Sequence, residues 1–435
     1  MKRNLIITLF LIVCCMPLCA DTSLSEGAPS VKLENGLTVI LKENHRYPVV
    51  SAQVWVRVGS VNESPTTSGL SHFLEHLIFK GSEKYPGDAI SRIVENQGGM
   101  INAATSKEFT EFYIDAQSSG WKDAVSILAD AMANASMPAA DIDKERPVVI
   151  EEISRSEDNP SHELYDVFNE AMFVSSPYHE RIIGSSDVIK NTPRDAIMAY
   201  YHSHYVPSNM VFVLAGDFTA ADAIAHIKVT FGKQTPGIAP AEPNLIEPVH
   251  NGITIKNPKD LEQSYWMGGF LGPRINQDKE SATGDIVSSI LGGGRSSRLY
   301  RALHEDKQLA YSIWSSYWSQ RGSGIFAVGG IYDPKNEAAL FEGVRSQMDA
   351  LSKEGPTDAE LARAKQVIKS QWVMGNETYH DQAAQIGYWY LQGNPAILDH
   401  YIEIINSITA SDVRAFMKDY CIQSKFNQAV LAPKQ

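Results

Sequence analysis

The chain passes twice through one order of segments, before and after a proline-rich stretch, and this repetition constrains its fold more than any other feature. The stretch is residues 235–248, which hold Pro236, Pro240, Pro243 and Pro248 with little hydrophobic period, the pattern of a linker. Before it, residues 31–41 alternate around the turn Glu34-Asn35-Gly36, a hairpin pattern. Residues 49–58 read as a central strand, and a loop at 59–68 feeds a helix containing His72 to His76. A second helix at 88–96 ends at Gly98-Gly99, and 100–105 and 111–117 read as paired strands. Helices at 121–135, 142–156, 162–173 and 194–201 follow, then a β-rich run at 211–215 and a helix at 220–230. After the linker the order returns: a strand at 264–271, helices at 280–291 and 297–305, paired strands at 310–318 and 324–331, and helices at 335–351 and 358–373.

Divergent duplication is the economical explanation, with two unrelated α+β domains as the alternative. A chain of 435 residues also exceeds one ordinary hydrophobic core. The expected fold class is therefore α+β, with two similar domains at 21–234 and 249–435. Each is expected to be a mainly antiparallel sheet packed with helices.

Residues 1–20 read as a secretory signal. Lys2 and Arg3 precede an apolar run at 5–13, and Ala20 stands before polar Asp21-Thr22-Ser23. Cleavage after Ala20 would make the protein periplasmic or secreted. Cys14, Cys15 and Cys19 raise a lipid anchor, but Val13 and Leu18 stand where a small residue is expected. An uncleaved anchor is the other alternative. Cys421 is the one cysteine left after cleavage, so no internal disulfide is expected. No other segment is apolar and long enough to span a membrane. The formal charge of −13 has the wrong sign for a nucleic-acid partner and favours a cationic one, although solubility alone explains it as well.

The chemistry is carried by His72-Phe73-Leu74-Glu75-His76. Helical residues three and four apart share a face, so His72 and His76 can put two imidazoles on one metal with Glu75 beside them. Leu70, Phe73, Leu74 and Leu77 form the core side, and the histidines flank it. A divalent cation needs a third protein ligand and an open position before it can activate water. A carboxylate-rich helix downstream contains Glu145 and Glu152, seven residues apart and so on one face, whereas Glu151 points elsewhere. A helix with surface histidines and no metal is the bland alternative.

The pentapeptide resembles the inverted zinc motif of the pitrilysin/insulinase metallopeptidases, and the two downstream carboxylates match that family's spacing. Asn102-Ala103-Ala104-Thr105, Pro177-Tyr178-His179, Tyr205 to Met210 and Ala215-Gly216-Asp217 are further matches. The resemblance covers nearly the whole mature chain and is to the two-domain branch, similar to mitochondrial processing peptidase and bacterial processing-peptidase-like proteins. It implies one Zn2+ per chain with His72, His76 and Glu152 as ligands, Glu75 as general base and Glu145 in support. It further implies that Asn102, Ala103, Ala104 and Thr105 form an edge strand that binds the substrate backbone.

Residues 303–312 are similar to a family segment that usually carries an arginine and, seven residues later, a tyrosine, both reaching the substrate near the metal. Tyr311 matches the tyrosine, whose hydroxyl would stabilise an oxyanion. His304 occupies the arginine position, and a histidine cannot supply a guanidinium fork. In this branch two chains close into one chamber. A homodimer would use His304 and Tyr311 of the other copy, and a heterodimer would borrow their counterparts from a metal-free sister. The departure at His304 favours the heterodimer.

The expectation is an exported zinc endopeptidase cutting peptides or unfolded segments in an enclosed chamber. The alternative is a non-catalytic or partner-dependent subunit of a heterodimeric processing peptidase. Gly292-Gly293-Gly294-Arg295-Ser296-Ser297 lacks the Gly-Lys-Ser/Thr ending of a phosphate loop and reads as a mobile turn. His202 and His204 diverge on a helix and read as a surface pair.

Overall fold

The structure, a computed structural model, describes residues 28–434. The signal segment at 1–20 lies outside these residues. The first half runs β1 (Ser30–Lys32), β2 (Thr38–Glu43), β3 (Val49–Val56), α1 (Leu70–Ile78), α2 (Ala89–Asn96), β4 (Met100–Thr105) and β5 (Thr110–Gln117). It continues with α3 (Trp121–Asn134), α4 (Ala139–Asp158), α5 (Pro160–Met172), α6 (Ser186–Asn191), α7 (Arg194–His204), β6 (Met210–Gly216) and α8 (Ala220–Val229). The second half opens with β7 (Thr254–Lys259), β8 (Ser264–Gly272), α9 (Asp278–Gly292), β9 (Ser312–Trp318) and β10 (Gly324–Tyr332). It closes with α10 (Glu337–Glu354), α11 (Asp358–Met374), α12 (Tyr379–Leu391), α13 (Ile397–Ser407), α14 (Ala410–Asp419) and β11 (Asn427–Pro433).

Each half builds one sheet, and the two sheets share a plan. The first has the order β1-β2-β6-β3-β5-β4 and the second β7-β11-β8-β10-β9. One parallel pair occurs in each, β2 with β6 and β7 with β11, and the remaining neighbours are antiparallel. Two similar α+β domains, expected from the repeated order, are thus what the chain forms. In the first sheet Val54 lies opposite Phe112 on one side and Phe212 on the other. All three are fully buried, and side chains of this size contribute about 1.5–3 kcal/mol each when buried.

Helix α12, beyond the last helix expected from the sequence, and α5 tie the halves together. Helices of the first half cover one face of its sheet. The opposite face, with Ile40, Trp55, Val211 and Val213, is covered by α12 through Tyr379, Ala383 and Ile386. In return α5 lays Leu164, Val167 and Phe168 over Met267, Ile325, Ala327 and Leu431 of the second sheet. Each half therefore lends one helix to the other. Gly387 allows the first of these contacts, since a Cβ there would stand 2.3 Å from the Trp55 ring.

A buried polar junction fixes the halves further. Glu108 accepts the Arg321 N–H at 2.9 Å and the Gln392 side-chain amide at 2.9 Å, and Tyr178 donates its hydroxyl to the same carboxylate. The stretch at 235–248 carries no helix or strand, yet Leu245 is buried and Glu247 accepts the N–H groups of Ser175 and Ser176. The helix expected at 297–305 is present in a wider form, a π-helix over Tyr300–Asp306. Its Leu303 carbonyl receives the N–H groups of both Leu309 and Ala310, which closes the segment onto the start of β9.

Candidate metal centre

The site begins with how α1 is held. Gly69 takes φ +91°, a left-handed conformation natural to glycine, and a Cβ there would meet the Ile183 carbonyl at 2.8 Å. Glu63 then caps the helix from six residues upstream. Its carboxylate accepts the Gly69 N–H at 2.6 Å and the Ser71 N–H at 2.8 Å, satisfying donors that a helix start leaves open. Burial pushes Glu63 up to about 7. Leu70, Phe73, Leu74 and Leu77 are at most 1% exposed, so the core side of α1 is fixed and the histidines have one direction to point.

The second wall is α4. Arg146 anchors it by donating to the Thr192 carbonyl at 2.5 Å and to the Ile189 carbonyl, with its guanidinium 5.7 Å from the centre of the Phe73 ring. This brings Glu145 and Glu152 to α1, as their seven-residue spacing predicts. Glu152 Oε2 lies 3.4 Å from His76 Nε2, and Glu152 Oε1 lies 3.8 Å from His72 Nε2. Glu151 points away and pairs with Arg155 at 3.1 Å.

His72, His76 and Glu152 are the one group of three His, Cys, Asp or Glu residues among the described residues whose ligand atoms all lie within 4.8 Å. Their separations suit an ion held about 2 Å from each donor. Burial, aided by the neighbouring His76, lowers His72 to about 4, so it offers a neutral lone pair. Its Nδ1 is buried without a hydrogen-bond partner, while Nε2 faces Glu152. The donor set fits a divalent metal and leaves a coordination position open.

Glu75 stands beside this group and outside it. Its carboxylate accepts the Thr105 hydroxyl, and burial raises its pKa. Thr105 ends β4, an edge strand of the first sheet that among the described residues pairs only with β5. Along that edge Asn102 and Ala104 are exposed, whereas Ala103 and Thr105 turn partly inward. Glu145 faces His76 Nδ1 at 3.4 Å and pairs through its other oxygen with Lys80 at 2.5 Å. Lys80, two residues beyond the end of α1, reaches this carboxylate from the turn that follows the helix. No local sequence pattern marks the Glu63 cap, which stands six residues upstream of Gly69.

Tyr311 is not brought to this group. It is 54% exposed in the second half, its N–H bonded to the Ile331 carbonyl, and none of its contacts reaches a metal-site residue. His304 turns back on its own segment, with Nδ1 2.9 Å from the Ala310 carbonyl and its ring against Tyr300. His202 and His204 lie apart from any such site, and His204 is stacked on Tyr200.

Comparison with known proteins agrees with this geometry. A sequence model of the insulinase family (peptidase family M16) matches residues 38–186, and one of the peptidase M16 inactive domain matches residues 192–368. The chain belongs to peptidase family M16. An uncharacterized zinc protease of Bacillus subtilis is 28% identical to this M16 chain over 396 residues, covering 89% of this chain and 96% of the relative. One of Mycobacterium bovis is 29% identical over 419 residues, 95% of each chain. The crystal structure of a protease from Helicobacter pylori superposes with a TM-score of 0.88 at 27% identity, covering 93% of this chain and 99% of that one. In M16 terms the metal residues all fall within the first matched region, and the second half carries the inactive-domain match.

Proposed function

We propose that this M16 chain is an exported zinc endopeptidase that hydrolyses peptides or unfolded segments. The convergence of His72, His76 and Glu152, with Glu75 beside them but outside the ligand set, carries this reading. The relatives named as zinc proteases and the chemistry of two imidazoles with one carboxylate both favour zinc. His72, His76 and Glu152 would hold the zinc, which would supply Lewis acidity toward a carbonyl and would lower the pKa of a bound water to about 7. Glu75 is placed to take a proton from the attacking water and deliver it to the leaving amine. The hydroxyl of Thr105 orients that carboxylate, and Glu145 orients His76. The open edge at Asn102 to Thr105 can take an extended substrate as an added strand, which presents a backbone amide to the site.

Tyr311 and the metal residues share no contact, so in this reading its role falls to a second chain that closes over the site. With His304 in place of an arginine, a homologous sister chain is the favoured partner. The test is metal content and peptide cleavage by the wild type and Glu75→Gln, each alone and with a homologous chain. One zinc per chain, with cleavage lost in the variant, supports the enzyme. A wild type that holds no metal, or is inert in both settings, supports a binding subunit instead.

A further inference from the structure

A cavity of about 850 Å³ lies away from the metal centre, in the second half. Its volume is within the range of about 300–1,000 Å³ usual for ligand sites. The shared plan of the two halves explains its place. In the first half the metal residues sit among α1, β4 and α4, and the cavity lies among α9, β9 and α11, with α12 and α13 closing it. The cavity thus takes, in the plan of the second half, the place that the metal centre takes in the first.

The lining has a specific chemistry. Asp278 and Asp285 contribute carboxylates, and among the described residues no Lys, Arg or His lines the cavity. Asp278 is already engaged by the Asn394 amide at 2.7 Å. Asp285 accepts the Tyr401 hydroxyl at 2.8 Å and has no cationic partner among the described residues. Aromatic rings line the same cavity: Trp372 lies 4.7 Å from Tyr401 between ring centres, and Tyr388 lies 5.2 Å from Trp389. A secluded carboxylate without a counter-charge is costly, and ring faces attract cations.

We propose that this cavity binds the guanidinium or ammonium end of an Arg or Lys side chain presented by a peptide, between Asp285 and the rings of Trp372, Trp389 and Tyr401. A cation there supplies the counter-charge that the protein withholds. Burial, which pushes Asp285 up to about 7, marks how strongly the carboxyl lacks one. The formal charge of −13 draws such ligands toward the molecule. The peptide source of the cation rests on the peptidase reading, whereas the cation site itself does not.

The experiment is tryptophan fluorescence titration of the full-length Glu75→Gln chain, so that no peptide is consumed. Four probes are used: n-butylguanidinium, n-pentanol as its neutral counterpart, and two matched peptides carrying one Arg or one citrulline. Saturable quenching by n-butylguanidinium and by the Arg peptide, absent with the neutral counterparts, is expected. Asp285→Asn should weaken both by about tenfold or more. Gln385→Lys, which sets a fixed cation in the same cavity, should abolish them and keeps the test informative if Asp285→Asn does not fold. Equal binding of n-pentanol, or cation binding unchanged in both folded variants, overturns the cation site. Binding of n-butylguanidinium without the Arg peptide overturns the peptide assignment. Failure of the peptidase reading shows separately, as absent cleavage by the wild type.

Discussion

Lys80 Nζ lies 2.5 Å from one oxygen of Glu145, and the other oxygen of that carboxylate faces His76 Nδ1 at 3.4 Å. The two helices of the metal centre are thereby linked by a chain of three side chains that ends on a ligand. With Nδ1 of His76 directed at Glu145, Nε2 is left to face Glu152 and the metal position. Groups that orient a ligand histidine typically contribute about 10–100-fold in metal affinity. Lys80→Met and Glu145→Gln are each expected to weaken zinc binding within that range in competition with a chromophoric chelator. An unchanged affinity in both variants would reduce the pair to a surface ion pair.

Thr105 gives a second prediction. Its hydroxyl donates to Glu75, the group assigned the proton transfer, and it reaches neither His72, His76 nor Glu152. Thr105→Val removes that donor and keeps the shape of the β-branched side chain. A hydrogen bond to a charged group contributes about 1.5–3 kcal/mol, so kcat should fall by about tenfold or more. Zinc content, read by elemental analysis, should stay at the wild-type value. Loss of zinc along with activity would place Thr105 in metal retention.

Gly387 separates packing from helix propensity. An exposed helical glycine replaced by alanine ordinarily gains about 1 kcal/mol. Here the added Cβ would stand 2.3 Å from Cδ1 and Nε1 of Trp55, on a face where a second-half helix covers the first sheet. Gly387→Ala is therefore expected to lose about 1–3 kcal/mol in urea unfolding, the usual result of overpacking. A gain in stability would show that α12 is only loosely seated.

Much of this was legible in the sequence because periodicity and spacing report on single elements. The helix of His72 to His76 and the shared face of Glu145 and Glu152 follow from 3.6 residues per turn. The edge position of Asn102 to Thr105 was implied by the family resemblance, and β4 stands at the edge of the first sheet. Contacts between distant segments leave no such trace. The seating of α12 on the first sheet depends on Gly387 meeting Trp55, residues more than 300 positions apart that share no local pattern. Glu63 caps α1 from a loop, so the usual cap position, occupied by Gly69, revealed nothing. Lys80 stands in the turn after α1, where helical spacing no longer says which way a side chain points.

The clearest pH dependence belongs to the start of α11. Glu360 is held well down, at about 2, first by Arg298, whose Nε and Nη2 each lie 2.7 Å from its two oxygens, and further by the Thr357 cap. A carboxylate whose pKa is lower folded than unfolded adds stability that is complete above the unfolded value of about 4.5. That stability drains away as the pH falls from there toward about 2. Glu360→Gln keeps the size of the side chain and loses the charge-assisted pair, so it should cost about 1.5–3 kcal/mol at pH 7. The gap between variant and wild type in urea unfolding should then narrow steadily between pH 5 and pH 3. A gap that stays constant or widens on acidification would mean that Glu360 is not held ionised by Arg298.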